Sequence, residues 1–555
     1  MVQVGLIRSV RKYIPFLSFL FLAFRSPTPT LPPKLIVLLS VDQMRADYLE
    51  KFDQNFEGGL NYLIQNGQTF KHTNHNHFYT TTAPGHATIA TGYHPSNHGI
   101  TNNNIYVRKQ SKIQYCIQDT SVNYMGIENC TLPKNSVKNL LKPSLGDYIK
   151  SQSSKSKSYS VSLKDRASIL MGGHLANRSF WFDSKSTQMV STDFYKESFP
   201  HWVQNFKAKD LMKSEIESGW ELESDFNSKS FKYRDHRPEE FGFFDTHFPH
   251  TLKQANEISD IDVNSGDFLW HTPFGDQFVL KFAKELIVQE KLGIDECIDV
   301  LTLSLSAADI IGHQFGPESF EIYDYYQKLD HYLLDFIQFL NNQVGVDNYL
   351  LVLTSDHGVA QFPESNTNSN HPSKRITSSQ FKQDIDSIDI LIQQEFKINQ
   401  STIIFANYQG VEPNFAVIQS HEIDSSKLVS QIQFHLENLN YIQETYSFFE
   451  IDNPACHKSY IQKIRNSHSP DQGLFIKILQ TENYLIDMRP YGTTHGTPFN
   501  YDTHVPLIFL GPSIHAGTNN TITFTTDIVP TILDYLSIKT STEFDGKILN
   551  LSDYK

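Results

Sequence analysis

An α/β fold, with a central, mostly parallel sheet flanked by helices, is predicted for this 555-residue chain by three observations. Continuous apolar runs of strand length stand at Leu35–Val41, Ile298–Leu305 and Tyr349–Thr354, the pattern of strands covered on both faces. Each run leads within a few residues into acidic or histidine-bearing sequence: Asp42, then Asp309 and His313, then Asp356 and His357. Helical spacing occupies the connections, most plainly over Glu318–Val344.

Length and composition bound the function. The chain is too long for one minimal domain and can bury a large core. With 13% aromatic and 19% charged residues it is globular. A net charge of −14 argues against nucleic acid or an anionic membrane surface as partner, while a pocket of local cations still suits a small phosphate ester. Arg8, Arg11 and Lys12 precede the apolar Ile14–Phe24, too short to span a bilayer, and a Pro-rich stretch follows. That reads as a secretory signal over 1–25, so an exported protein, periplasmic or secreted, with no stable membrane span is expected. Four cysteines form no C-x-x-C pair, which argues against a cysteine zinc site. In an exported chain a Cys116–Cys130 disulfide stays open.

Taken in order, Leu35–Val41 delivers Asp42 where open α/β sheets bind ligands, beyond the carboxyl end of a strand. An aspartate there is a metal or phosphate-site candidate, or simply a helix cap. A helix over Gly58–Asn66 and a short strand near Thr69–His72 follow, and the alternating His72, His75 and His77 read as loop residues beside the site. The stretch Tyr79–Gly92, YTTTAPGHATIATG, reads as a loop running into a helix that Thr82 begins. The free N–H groups and dipole of such a terminus suit an anion; the Thr82 hydroxyl is a candidate nucleophile that needs a base or metal to activate it, and the plainer reading of this stretch alone is that Thr80, Thr81 and Thr82 cap the helix. Asn103 is an amide donor or a turn residue. Lys164 and Arg166, on what reads as an extended segment, face one way and can clamp an oxyanion, or simply form a solvated face. Stretches of about 179–292 and 360–489 read as insertions over the core, the second capping the site. The D-x-x-x-H spacing of Asp309 and His313 suits two ligands on one ion, and His495 stands in a Gly/Thr/Pro loop. Val505–Leu510 reads as the final strand, and Asp527–Ile538 as a closing helix with Pro530 in its first turn.

Together Asp42, Asp309, Asp356, His313, His357 and His495 are too many ligands for one tetrahedral ion and enough for two. Their mix of nitrogen and oxygen favours zinc over magnesium or calcium, and paired metals are a recurrent device for displacement at phosphorus.

The segments LSVDQMR, TTTAPGHATIATG, HGITNNN, SLKDR, ADIIGHQFG, TSDHG and HGTPFNYDTHVP, in this order, resemble the alkaline phosphatase superfamily. The resemblance is closest to the phosphate-irrepressible alkaline phosphatases of the type I phosphodiesterase/nucleotide pyrophosphatase group, and it runs from about Leu35 to the C-terminus. It implies a catalytic domain over 35–555 with that superfamily's fold and two zinc ions. One zinc would be held by Asp42, Asp356, His357 and the Thr82 hydroxyl, the other by Asp309, His313 and His495. Thr82 would be the nucleophile, forming a phosphothreonine, with Asn103, Lys164 and Arg166 on the phosphoryl oxygens; His504 falls outside the pattern and reads as structural. Within the family the K-x-R pair goes with phosphate monoesters, whose two negative charges suit two cations. The alternatives are a phosphodiesterase or nucleotide pyrophosphatase at the same site, and a non-catalytic surface protein stabilised by zinc. No C-x-P-x-R or S-x-P-x-R segment supports a sulfatase. Small-molecule phosphate esters are the expected partners; the physiological ester and oligomeric state are not fixed.

Overall fold

The apolar runs become the middle of one eleven-stranded sheet. The computed structural model describes residues 32–551 apart from 53–55, 128–132, 224–234, 241–242, 244, 259–261, 366–372, 488 and 542. The 1–25 segment read as a signal, and Cys130 as a disulfide partner, lie outside the described residues; Cys116, Cys297 and Cys456 carry free thiols.

The elements that position the site are, in chain order, β1 (Leu35–Val41), β2 (Gln68–Asn74), α1 (Thr82–Thr91), β3 (Ser158–Ser162), α2 (Asp165–Gly172), β4 (Arg178–Asp183), β5 (Gln188–Thr192), α3 (Phe274–Glu290), β6 (Asp299–Leu305), α4 (Ala307–Phe315), α5 (Phe320–Gln343), β7 (Tyr349–Thr354), α6 (Ser378–Phe396), α7 (Ser425–Glu437), β8 (Leu507–Leu510), β9 (Gly517–Phe524) and α8 (Ile528–Tyr535). The centre of the sheet runs β7-β1-β6-β3-β4, all parallel, and antiparallel β8 and β5 flank it.

All seven residues of β1 are buried, and alternate residues serve two cores. Leu35, Val37, Leu39 and Val41 pack with Phe278, Phe282, Leu333 and Phe336 of α3 and α5. Ile36 and Leu38 pack on the other face with Ile89 of α1 and Ile528 and Ile532 of α8. Burying each such aliphatic side chain contributes about 1.5–3 kcal/mol, which holds the strand ends where their polar residues are needed.

The stretch 374–487 forms a second, smaller layer. Strands Ile403–Asn407, Gly410–Pro413, Ile476–Gln480 and Ile442–Ser447 make a four-stranded sheet beside α6 and α7. Its core also takes in Phe78, Tyr79 and Phe499, so this cap packs on the loop leading into α1. The stretch 179–292 begins and ends inside the main architecture: β4 and β5 join the main sheet, and α3 packs on it.

Three local expectations change. His72 lies in β2 and is exposed, because the strand runs on to Asn74. Leu507–Leu510 is followed by another strand, β9, parallel to β2; its polar, mostly exposed GTNNTITF lacks an apolar run because it lies on the sheet edge. Lys164 and Arg166 are not on an extended segment. β3 ends at Ser162, Lys164 is the N-cap of α2, and Arg166 lies in its first turn. No helix among the described residues is long and apolar enough to cross a membrane.

Candidate active site

Four neighbouring parallel strands deliver polar residues to one end of the sheet. β7 leads to Asp356 and His357, β1 to Asp42, β6 to α4 with Asp309 and His313, and β3 to Lys164. The Asp42 N–H donates to the Leu305 carbonyl at 2.8 Å, so the parallel ladder carries past β1 and fixes the aspartate against β6. On α4, Asp309 and His313 are one turn apart and share a face, with 3.2 Å between His313 Nε2 and Asp309 Oδ1.

Two ligand groups result, and they share His357. Asp42, Asp356 and His357 form one, and Asp309, His357 and His495 the other, each with its ligand atoms within 4.8 Å of one another. His357 Nε2 lies 3.4 Å from Asp42 Oδ1 and 3.2 Å from Asp356 Oδ2; His495 Nε2 lies 3.4 Å from Asp309 Oδ1. The rings of His357 and His495 stack at 3.5 Å between centroids. His313 stands beside the second group through its contact with Asp309. None of His72, His75 or His77 joins either group among the described residues; His75 Nε2 lies 3.0 Å from the Ser355 carbonyl. His504 Nε2 contacts the Lys71 carbonyl at 2.7 Å, away from both groups.

The donors fit divalent ions. His313 Nδ1 is 2.7 Å from the Thr493 carbonyl, His495 Nδ1 is 2.7 Å from the Thr80 carbonyl, and His357 Nδ1 is 3.0 Å from the Gly358 carbonyl. A carbonyl accepts only from N–H, so each ring carries a proton on Nδ1 and turns its Nε2 edge toward the aspartates, the edge through which such imidazoles bind metal. Asp42 Oδ1, Asp356 Oδ2 and His357 Nε2 are buried and have no hydrogen-bond partner. Burial, then the neighbouring Asp356, push the Asp42 carboxyl well above the usual range despite Lys164. Burial also holds the His357 imidazole neutral. For Asp309 burial again opposes ionisation, but Lys164 and His313 prevail and keep it charged. Three carboxyl groups crowd against Lys164 and Arg166, and divalent cations would offset the charge that their ionisation and a bound phosphate bring.

Thr82 opens α1 and is 1% exposed. The helix is pressed onto the first ligand group: a Cβ on Gly85 would lie 2.2 Å from the Asp356 carbonyl oxygen. Arg166 Nη2 donates to Thr82 Oγ1 at 3.2 Å. Asn103 Oδ1 accepts from the Ala83 N–H at 2.8 Å, which leaves its amide N–H groups as donors beside the threonine. Lys164 Nζ sits between the two ligand groups, 2.5 Å from Asp42 Oδ2 and 2.6 Å from Asp309 Oδ2. A cleft of about 850 Å³, lined in part by Phe78, Tyr79, Ile385, Ile403 and His495, separates the nucleophile loop from the cap.

Two contributors escape the sequence reading. His86 Nδ1 lies 2.8 Å from the Thr82 carbonyl and 3.1 Å from Asp356 Oδ2, and its Nε2 lies 2.9 Å from Ser304 Oγ. Its spacing of four from Thr82, on the same helix face, is the signal that was there. Tyr115 Oη, 3.5 Å from Arg166 Nη1, donates to Asp165 at 2.7 Å and has no sequence signal.

The family described as type I phosphodiesterase / nucleotide pyrophosphatase matches residues 36–400. Alkaline phosphatase PafA of Elizabethkingia meningoseptica is 31% identical over 523 residues, 93% of this chain and 93% of its own. Alkaline phosphatase PhoV of Synechococcus elongatus is 32% identical over 94% of this chain and 93% of its own. The crystal structure of wild-type PafA matches with a TM-score of 0.84 at 29% identity, covering 93% of this chain and 98% of that one. A further PafA structure carries replacements of a threonine, an asparagine, a lysine and an arginine, in that order along its chain.

Proposed function

We propose, from the premise that this chain belongs to the type I phosphodiesterase / nucleotide pyrophosphatase family, that it is an alkaline phosphatase using Thr82 as nucleophile at a site for two zinc ions. The observation that carries this reading is the pair of ligand groups sharing His357 beneath the helix that Thr82 opens. Asp42, Asp356, His357 and the Thr82 hydroxyl would hold one ion, and Asp309, His313 and His495 the other. Bound there, zinc supplies Lewis acidity that lowers the pKa of a hydroxyl or water and offsets charge on a leaving oxygen. Zinc rather than a harder ion is supported by three imidazoles in the donor set.

The chain's own groups account for the rest. Thr82 Oγ1 attacks phosphorus and gives up its proton to solvent, the bond from phosphorus to the ester oxygen breaks, and that oxygen takes a proton back from solvent, giving phosphothreonine and an alcohol. Water then takes the phosphoryl group, releasing inorganic phosphate and restoring the hydroxyl. The first N–H groups of α1 and its dipole favour the phosphoryl oxygens. Arg166 holds the nucleophile with one amino group and keeps further N–H groups for the phosphoryl oxygens, and Asn103 adds an amide. Such donors are each worth about 10²–10³ in rate. The threonine, asparagine, lysine and arginine replaced in PafA are the same residue types in the same order as Thr82, Asn103, Lys164 and Arg166. The cleft toward the cap gives the alcohol a place, and export rests on the Arg8–Phe24 segment.

A diesterase is the second reading, favoured by one observation: Lys164 is engaged by Asp42 and Asp309, so one of the two cations is not free for substrate. The test compares p-nitrophenyl phosphate with bis-p-nitrophenyl phosphate for the zinc-loaded protein and Lys164→Ala/Arg166→Ala. Monoester turnover should dominate and lose most of its advantage in the double variant. Faster diester turnover, unchanged in the variant, moves the enzyme to the second reading; silence on both with zinc bound leaves a non-catalytic protein.

A further inference from the structure

We propose that Gln43 is a positioning residue shared by the two ion sites, its side-chain amide orienting Asp309 in one and its backbone N–H orienting Asp356 in the other. This rests on the two-ion reading above. Gln43 follows Asp42 at the end of β1 and is 2% exposed. Its backbone has φ +66°, a left-handed conformation that side chains other than glycine, asparagine and aspartate seldom adopt. That turn directs its N–H onto Asp356 Oδ1 at 3.2 Å. Its Nε2 donates to Asp309 Oδ1 at 2.7 Å and approaches the Asp309 carbonyl at 3.4 Å. Strain of this kind persists only where the surroundings over-determine it.

The surroundings do so from across the molecule. Gly312 sits inside α4, where alanine would suit a helix better. A Cβ there would lie 1.9 Å from Gln43 Oε1, so the glycine leaves room for the amide. A neutral amide fixes a carboxylate ligand without adding charge to a site already rich in carboxylates. Glutamate could not replace it, since an ionised carboxylate donates nothing. Donors of this kind behind metal ligands set their orientation and affinity.

The two contacts differ in a way that can be tested. The backbone N–H survives substitution; the amide does not. Gln43→Gly relieves the left-handed conformation, keeps Asp356 oriented and releases Asp309. The full chain, stripped with a chelator, is titrated with zinc by calorimetry as wild type, Gln43→Gly, Gly312→Ala and the double variant. Two ions should bind wild type. Gln43→Gly should weaken one of them about 10- to 100-fold and leave the other unchanged, with no fall in the melting temperature of the metal-free protein. Gly312→Ala should weaken the same ion by displacing the amide, and the double variant should be no worse than Gln43→Gly alone. Unchanged binding in Gln43→Gly, equal weakening of both ions, or additive losses in the double variant overturns the assignment. Wild type that takes up no zinc removes both this assignment and the reading beneath it.

Discussion

At the carboxyl end of the main sheet, Asp42, Asp309 and Asp356 are buried around one lysine and three imidazoles, with ligand atoms left without partners. Against the cap, buried charge is settled locally. Glu412 takes Arg108 at 3.2 Å and the Phe475 N–H at 2.8 Å, and Arg108 lies over the Phe448 ring at 4.7 Å. Glu450 takes Lys458 at 2.7 Å and Gln433 at 2.7 Å. Unpaired buried charge is costly and persists where something else repays it, usually a ligand or a reaction. Charge that is paired in place reads as architecture. The contrast predicts that like substitutions in the two regions part company.

The largest separation is expected between two threonines. Thr82→Ala should lower kcat/KM for p-nitrophenyl phosphate by about 10³-fold or more, roughly 4 kcal/mol, with the thermal midpoint little moved. Thr445 is equally buried but serves the cap, donating to Glu437 at 2.6 Å and accepting from Gln433 at 3.1 Å. Thr445→Ala should cost about 1–2 kcal/mol of stability and leave kcat/KM within about twofold, a margin too small to involve a reacting group. Loss of activity at both positions would break the division.

Next comes Gly85→Ala. In a helix interior this change ordinarily stabilises by about 1 kcal/mol. Here the added Cβ meets the Asp356 carbonyl oxygen at 2.2 Å, so α1 and the end of β7 must move apart. A shift of about 1 Å between nucleophile and ligands is worth about 10²-fold in rate. Steady-state kinetics beside a melting curve should show activity falling further than stability; a fully active variant would mean that α1 is not held against the first ligand group.

What could be read in the sequence follows the same division. β1 and β7 begin and end at the predicted residues because each is an unbroken apolar run bounded by polar residues, as burial on both faces demands. Asp42, Asp309, Asp356 and His357 were legible because they follow such runs directly. The cap strands were not, since IIFAN is half-exposed and GVEP holds too few residues for a period. Lys164 and Arg166 were legible as cations but not in their setting, because the partners of Lys164, Asp42 and Asp309, are 122 and 145 residues away. His86 reads as one more helix residue in HATIAT, and Gln43 carries no signal of its own. Nothing in the neighbourhood of either shows the aspartate it meets in space.

The smallest expected effect probes a cap cation that breaks the local rule. Lys477 is 2% exposed, and its ammonium makes no ion pair or hydrogen bond among the described residues. Its ammonium lies 5.3 Å from the Tyr79 ring centre and 5.6 Å from that of Phe448. Burial, then Arg108, push it down to about 8 from 10.5. Below pH 8 both folded and unfolded chains carry the charge, and the folded one bears its desolvation. Between pH 8 and 10.5 the unfolded chain holds a proton that the folded chain has released, so this residue makes stability rise with pH there. Lys477→Met keeps the bulk and removes the charge. It should stabilise the protein at pH 7 by on the order of 2 kcal/mol, with the gain fading toward zero by pH 10.5. Urea midpoints at pH 7, 8.5 and 10 read this directly. A variant less stable than wild type at pH 7 would mean that the aromatic rings and Glu412 repay the charge fully, and Lys477 would then obey the cap's rule after all.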